Sequence, residues 1–165
     1  MTVLIILISV IAGSVIADQI SKLIVVNSMA VGETVPVIED VFHFTYIQNR
    51  GAAFGMLANN RWVFMIISTV AIVAMCVYLF RFCEETMFTK IGLALLIGGG
   101  IGNMIDRVAL GYVIDMIDCR FIDFYVFNVA DSCVCVGAFM VGLGYLLSTI
   151  KESKAKKAEK TRNDN

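Results

Sequence analysis

The sequence predicts an all-α membrane protein: four transmembrane helices, with a small extracytoplasmic β-sheet and a short amphipathic surface helix. Three observations predict it. Of 165 residues, 59% are hydrophobic and 16% charged, and the mean hydropathy is +0.83. Soluble domains carry about 45–50% apolar and about 25% charged residues. The apolar residues gather in four runs, each reaching or extendable to the roughly 20 residues that cross a ~30 Å hydrocarbon layer. From Lys151 onward six Lys or Arg stand against three acids, which marks that end as cytoplasmic.

One domain is expected at this length, over residues 1–150, followed by a basic tail at 151–165. The net charge of −1 supplies no basic field for a nucleic-acid partner. The first helix is expected at 3–26, from Val3 to Val26 with Asp18 and Lys22 inside it. Its early part has the length of a signal-peptide core but lacks a basic leading region and a clear small-x-small cleavage site. Residues 27–61 form the first outer loop. Val35-Pro36-Val37-Ile38 and Phe42-His43-Phe44-Thr45-Tyr46-Ile47 are β-rich, and Pro36 confines its segment to an edge strand. The amphipathic stretch follows, through Asn60, and Trp62 suits an interfacial anchor.

The 19 residues from Trp62 to Phe80 carry no formal charge and form the second helix, 62–80. The third spans 88–107 and ends in Asp106-Arg107. Residues 108–123 read as a polar loop, and 124–150 as the fourth helix with Asp131 near its start. A helix entering the hydrocarbon near Val126 places Asp131 roughly 7 Å below the interface. Beyond Lys151 the tail is low in apolar residues, so a frayed end is expected.

With the tail inside and four crossings, both termini are cytoplasmic. Asp18, Asp106, Arg107 and Asp131 then lie in the outer ends of their helices, and Asn49 and Asp115 in the outer loops. Charged side chains at membrane depth are costly and mark function by default. Asp115 and Asp131 are 16 apart and cannot pair on one helix. They meet if residues 113–117 fold back over the head of helix four. Two close carboxyls share a proton, one serving as base to a water and the other as acid. A structural carboxylate that caps the helix or pairs with a base is the competing reading.

Asp18 and Lys22, four apart and acid first, suit an internal ion pair or the orientation of neighbours. Asp106 and Arg107 are adjacent and should each have their own partner. Gly98-Gly99-Gly100 with Gly102 suggests close helix packing rather than a phosphate cradle, which needs a preceding strand. Asn128 shares a helical face with Asp131. Asn49, just ahead of Gly51, suits either a peptide hydrogen bond or a turn cap. The five cysteines are odd in number, and Cys133 and Cys135 have the wrong spacing for a Cys-x-x-Cys site. His43 is the only histidine, which leaves no material for a His-built metal site.

Five stretches, in order, resemble the bacterial lipoprotein signal peptidases (type II signal peptidases). They are Asp18-Gln19-Ile20-Ser21-Lys22, Asn49-Arg50-Gly51-Ala52-Ala53-Phe54-Gly55, Gly98 through Arg107, Val113-Ile114-Asp115-Met116-Ile117, and Phe127-Asn128-Val129-Ala130-Asp131-Ser132. The match covers most of residues 14–135. Ile114 and Met116 stand where Val and Phe are usual.

The resemblance implies an aspartic endopeptidase that uses no metal or other cofactor. Asp115 and Asp131 match the family's catalytic dyad. Asn49, Asn103, Arg107 and Asn128 match residues that position substrate or support the dyad. Asp18 and Lys22 match structural supports, and Asp106 and Gly99 fall in the third stretch among the supporting residues. The implied substrate is a prolipoprotein whose Cys carries a diacylglyceryl group, cut just before that Cys. Membrane lipid and globomycin-type inhibitors are the other implied partners. A monomer in the bacterial cytoplasmic membrane is expected, with its site near the extracytoplasmic face. A transporter or channel component is the rival from another class, since buried Asp and Lys also carry protons. Against it stand the absence of internal repeats and the gathering of acids at one face. A membrane scaffold leaves the buried acids unexplained.

Overall fold

The computed structural model describes residues 1–51, 61–122 and 124–163. The helices are α1 (Thr2–Ser28), α2 (Arg61–Val77), α3 (Met87–Ala109) and α4 (Val129–Asn163). A π-helical turn, Tyr78–Phe82, extends α2 and closes with Cys83 N–H donating to Tyr78 O at 2.9 Å. Each helix is long and apolar enough to cross a membrane, α2 by way of Met65–Phe82. At 27 residues, α1 alone is about 40 Å long.

The bundle is arranged for a lipid solvent. Ile5, Ile16, Ile24, Ile66 and Val70 are exposed, whereas Asp18, Lys22 and Asn128 are among the largest fully buried side chains. Lipid tails are as apolar as leucine, so helix association rests on close packing and internal hydrogen bonds. α3 is the central helix, packing most extensively on α4 and α1 and less on α2. Its glycines permit this. A Cβ on Gly99 would strike the Ala130 carbonyl oxygen, and one on Gly102 would lie 2.6 Å from Asp18 Oδ2. The packing expected of these glycines is therefore present, and it seats the head of α4 on α3.

A three-stranded antiparallel sheet caps one end, in the order β1 (Thr34–Ile38), β2 (Phe42–Asn49), β3 (Val113–Cys119). Pro36 lies on the edge strand, opposite His43. The hairpin turns through Asp40 at φ 56°, a left-handed conformation that Asp tolerates better than most residues. β3 is a correction to the polar loop expected at 108–123. Gly111, at φ 81°, donates its N–H to Asp106 O at 3.2 Å. This glycine ends α3 and turns the chain back. The β-branched Val113-Ile114 then continues the sheet begun by β2, with Ile47 opposite Asp115 and Asn49 opposite Val113.

Two further differences concern α4. It begins at Val129, not 124, because Phe127 is held extended. Phe127 N–H donates to Ile117 O at 3.0 Å, and Phe127 O accepts from Ile117 N–H at 2.7 Å. Asp131 therefore lies in the first helical turn rather than a turn deeper. At the other end the helix runs through Asn163 where a frayed tail was expected. Residues 145–163 contain no Gly or Pro and are rich in Lys, Ala and Glu, all good helix formers. The expected amphipathic stretch through Asn60 lies outside the described residues, as do Ala52–Gly55 of the second motif.

Gly99→Ala should cost about 1–3 kcal/mol, the usual range for overpacking. Gly100→Ala should cost less, since a Cβ there meets only the Ile72 side chain, at 3.0 Å. Thermal denaturation of both variants in detergent checks the contrast, and equal losses would refute it.

Candidate active site

A single ammonium group joins the elements. Lys22 Nζ lies 2.8 Å from Asp18 Oδ2, 2.9 Å from Asp106 Oδ2 and 3.1 Å from Asn103 Oδ1. Its three N–H donors thus meet three acceptors. Lys22 is 2% exposed and the two acids 0% and 3%, so the whole cluster is out of solvent. The Asp18–Lys22 pair expected from their spacing is present. Asp106, expected to have its own partner, joins the same lysine. Gln19 was not singled out in the sequence. Its Nε2 donates to Asp18 Oδ2 at 3.2 Å, Gly102 O at 3.2 Å and Asp106 Oδ1 at 3.0 Å. An amide inside an apolar helix was the signal that could have found it.

The cluster reaches both ends of the candidate dyad. Ala130 N–H donates to Asp18 Oδ1 at 2.9 Å, fixing the first turn of α4. Ile114 N–H donates to Asp106 Oδ2 at 3.1 Å, fixing β3 one residue before Asp115. Asp115 is 2% exposed. Its Oδ1 accepts from Asn128 Nδ2 at 2.7 Å and its Oδ2 from Asn49 Nδ2 at 2.9 Å. Asp131 Oδ1 accepts from Asn103 Nδ2 at 2.8 Å, and Oδ2 from the Asn128 backbone N–H at 3.2 Å.

Asn128 bridges the two acids. It is the residue before α4, and its Oδ1 accepts from Asp131 N–H at 2.9 Å. With the return bond from Asn128 N–H to Asp131, this is a reciprocal capping box. Helix capping and a role at the site are therefore compatible for Asp131; the same bonds that cap the helix orient its carboxyl. Arg107 Nη1 donates to Asn103 O at 3.2 Å, on its own helix. Its charge also acts on Asp131, Asp115 and Asp106. Gly99 contributes backbone proximity to Ala130 rather than a side chain.

The structure thus brings Asp18, Lys22, Asn49, Asn103, Asp106, Arg107, Asp115, Asn128 and Asp131 into one network at the sheet end of the bundle. Two carboxyls that each accept two N–H donors, Asp115 buried and Asp131 half-buried, in a bundle of spanning length, fit a membrane-embedded hydrolase. The comparisons with known proteins agree. The family model for signal peptidase (SPase) II matches residues 10–147. A lipoprotein signal peptidase of Clostridioides difficile (strain 630) is 48% identical over 120 residues, covering 73% of this chain and 80% of that protein. One from Brevibacillus brevis is 40% identical over 138 residues, covering 83% and 93%. A solved bacterial membrane enzyme, determined by the in meso method at 2.3 Å, matches with a TM-score of 0.82 and 32% identity, over 87% of this chain and 88% of its own. The chain belongs to the signal peptidase II family, and is a multi-span peptidase of bacterial membranes.

Burial raises the Asp115 carboxyl to about 6, from the ordinary 3.8. The Asn49 hydrogen bond pulls it back, the charge of Asp131 raises it further, and Asn128 and Lys22 lower it. The folded state is therefore unpenalised below about pH 4 and carries the full ionisation cost above about pH 6. Asp115→Asn removes that cost. Its stability relative to the wild type should rise by roughly 2–3 kcal/mol between pH 4 and pH 7. Melting temperatures across that range test this, and a pH-independent difference between the two proteins would refute it.

Proposed function

We propose that the chain is an intramembrane aspartic endopeptidase. It removes the signal peptide from diacylglyceryl-modified prolipoproteins, cutting just before the lipidated Cys. The observation that carries the reading is that Asn128 hydrogen-bonds both Asp115 and Asp131, which makes one site of two acids on separate elements. Family membership and the relatives' activity as lipoprotein signal peptidases supply the substrate class.

The chemistry follows from the pair sharing one proton. The ionised carboxylate takes a proton from water as the water oxygen bonds to the scissile carbonyl carbon. The protonated carboxyl donates to the carbonyl oxygen. The ionised carboxyl then takes a proton from one hydroxyl of the tetrahedral diol as its C=O re-forms, the C–N bond breaks, and the other carboxyl gives its proton to the nitrogen, which leaves as the amine of Cys with the dyad again holding one proton. Asn49, Asn103 and Asn128 hold the two carboxyls in place throughout. The basic end of α4 is cytoplasmic, so the site and sheet face outward. A signal peptide is an apolar helix in the bilayer, and its lipidated Cys holds the cut site at the outer interface.

Purified protein should shorten a diacylglyceryl-modified prolipoprotein, and globomycin should block the reaction. Asp115→Asn and Asp131→Asn should each insert and fold yet cut at least a thousandfold more slowly. Normal processing by either variant would sink the dyad.

A further inference from the structure

The chain between the two acids leaves β3 through a 3-10 turn, Arg120–Ile122, and reaches α4 at Val129. Its apolar side chains face outward. Phe121 and Ile122 are 65% and 56% exposed, and Phe124 and Tyr125 48% and 63%. Arg120 N–H donates to Val41 O at 3.0 Å, and Val41 N–H to Ile38 O at 3.1 Å. The exposed Ile38 and Val41 of the β1–β2 hairpin therefore border the same patch. Clustered exposed apolar side chains mark a contact surface, and the place of this one in the chain says what covers it. The apolar window of α4 opens at Val129, four residues after Tyr125, which puts that ring at most about 14 Å along the chain from the hydrocarbon. Phe, Ile and the amphipathic ring of Tyr suit the headgroup–acyl boundary. Arg120, 46% exposed and held through Nε by Asp118 Oδ2 at 2.9 Å, sets a cation at headgroup level. An acid between the two apolar pairs in the sequence, Asp123, makes the expected depth the headgroups rather than the hydrocarbon. Trp62, 63% exposed at the start of α2, brings another aromatic to the same end of the bundle.

We propose that Phe121, Ile122, Phe124 and Tyr125 are a lipid anchor: they insert at the headgroup–acyl boundary of the outer leaflet and so set the depth of the two acids. Phe121 follows Asp115 by six residues out of β3, and Asp131 follows Tyr125 by six into α4. An anchor between them ties both acids to the leaflet in which a lipid-modified Cys is held. That consequence for cleavage rests on the peptidase reading above; the insertion itself does not.

Fluorescence of the full chain in phosphatidylglycerol–phosphatidylcholine vesicles tests the insertion. In a Trp62→Phe background, Phe121→Trp supplies a single tryptophan. Phosphatidylcholine brominated near the glycerol end of its acyl chains should quench the emission about twofold or more. Bromines near the chain terminus should quench less, and aqueous iodide little. Strong quenching by iodide with none by bromine overturns the proposal. So does shielding from both, which marks a protein cover such as a second copy. Cleavage of a diacylglyceryl-modified lipopeptide tests the depth. Phe121→Ser combined with Ile122→Ser changes side chains outside the hydrogen-bond network of the acids. Its kcat/KM should fall about fivefold or more in vesicles, yet stay within about twofold of the wild type in detergent micelles, which mould themselves to the protein. An equal fall in both media, or none in vesicles, overturns the depth-setting role. A wild-type chain that leaves the lipopeptide uncut overturns the peptidase reading instead, while the quenching still decides the insertion.

Discussion

The contact of Lys22 with Asp18, Asp106 and Asn103 is the constraint on which the rest depends. Each buried ion carries an effective desolvation penalty of several kcal/mol, recovered only when every partner is in place. The cluster meets that condition by drawing on four elements. α1 supplies Asp18, Gln19 and Lys22; α3 supplies Asp106 and Asn103; α4 supplies the Ala130 N–H; and the start of β3 supplies the Ile114 N–H. The net excess of one negative charge faces the N-terminus of α4, whose free N–H groups carry the positive end of the helix dipole. Moving any one element would strand a charge, so the cluster sets the relative position of the segments that carry Asp115 and Asp131.

Bilayer solvent explains why such a cluster is tolerable. With apolar side chains turned to lipid, the hydrophobic effect does not choose which helix faces meet. Glycine contacts and polar satisfaction choose instead. Gly98, Gly99 and Gly102 bring α3 against Ser14, Ala130 and Asp18, and the approaches at Gly99 and Gly102 fall on residues that bond within the network. Packing and polarity are therefore one device: α3 comes close enough for short side chains to bond across the interface, and those bonds hold it there. The cap follows from the same need. Irregular backbone at membrane depth must be satisfied by protein, and the Ile117–Phe127 bridge does this for the segment entering α4.

Much of the architecture was legible because it depends on local composition. Four runs of spanning length, the edge position of Pro36, the Asp18–Lys22 pair and the packing role of the helix-three glycines all follow from neighbours within a turn or two. β3 was missed for a local reason as well. Asp115 and Asp118 interrupt its alternation, so Val113–Cys119 looked polar, although both acids are buried at 2% and 6% exposure. The start of α4 was misread because Phe124 to Phe127 are apolar, and hydropathy does not distinguish a helix from an extended segment pinned by Ile117.

By itself, the sequence determined that this is a four-span membrane protein and which ordered motifs it shares with the signal peptidase II family. Hydropathy and motif order are properties of the chain read in one dimension. Tertiary structure alone decided that Asp106 shares Lys22 with Asp18, that Gln19 serves both acids, and that Asn128 spans Asp115 and Asp131. It alone decided which way each asparagine amide points. The partner that orients Asn103 lies 81 residues away, and amide polarity follows from the donors and acceptors brought together in space, which spacing along the chain does not encode.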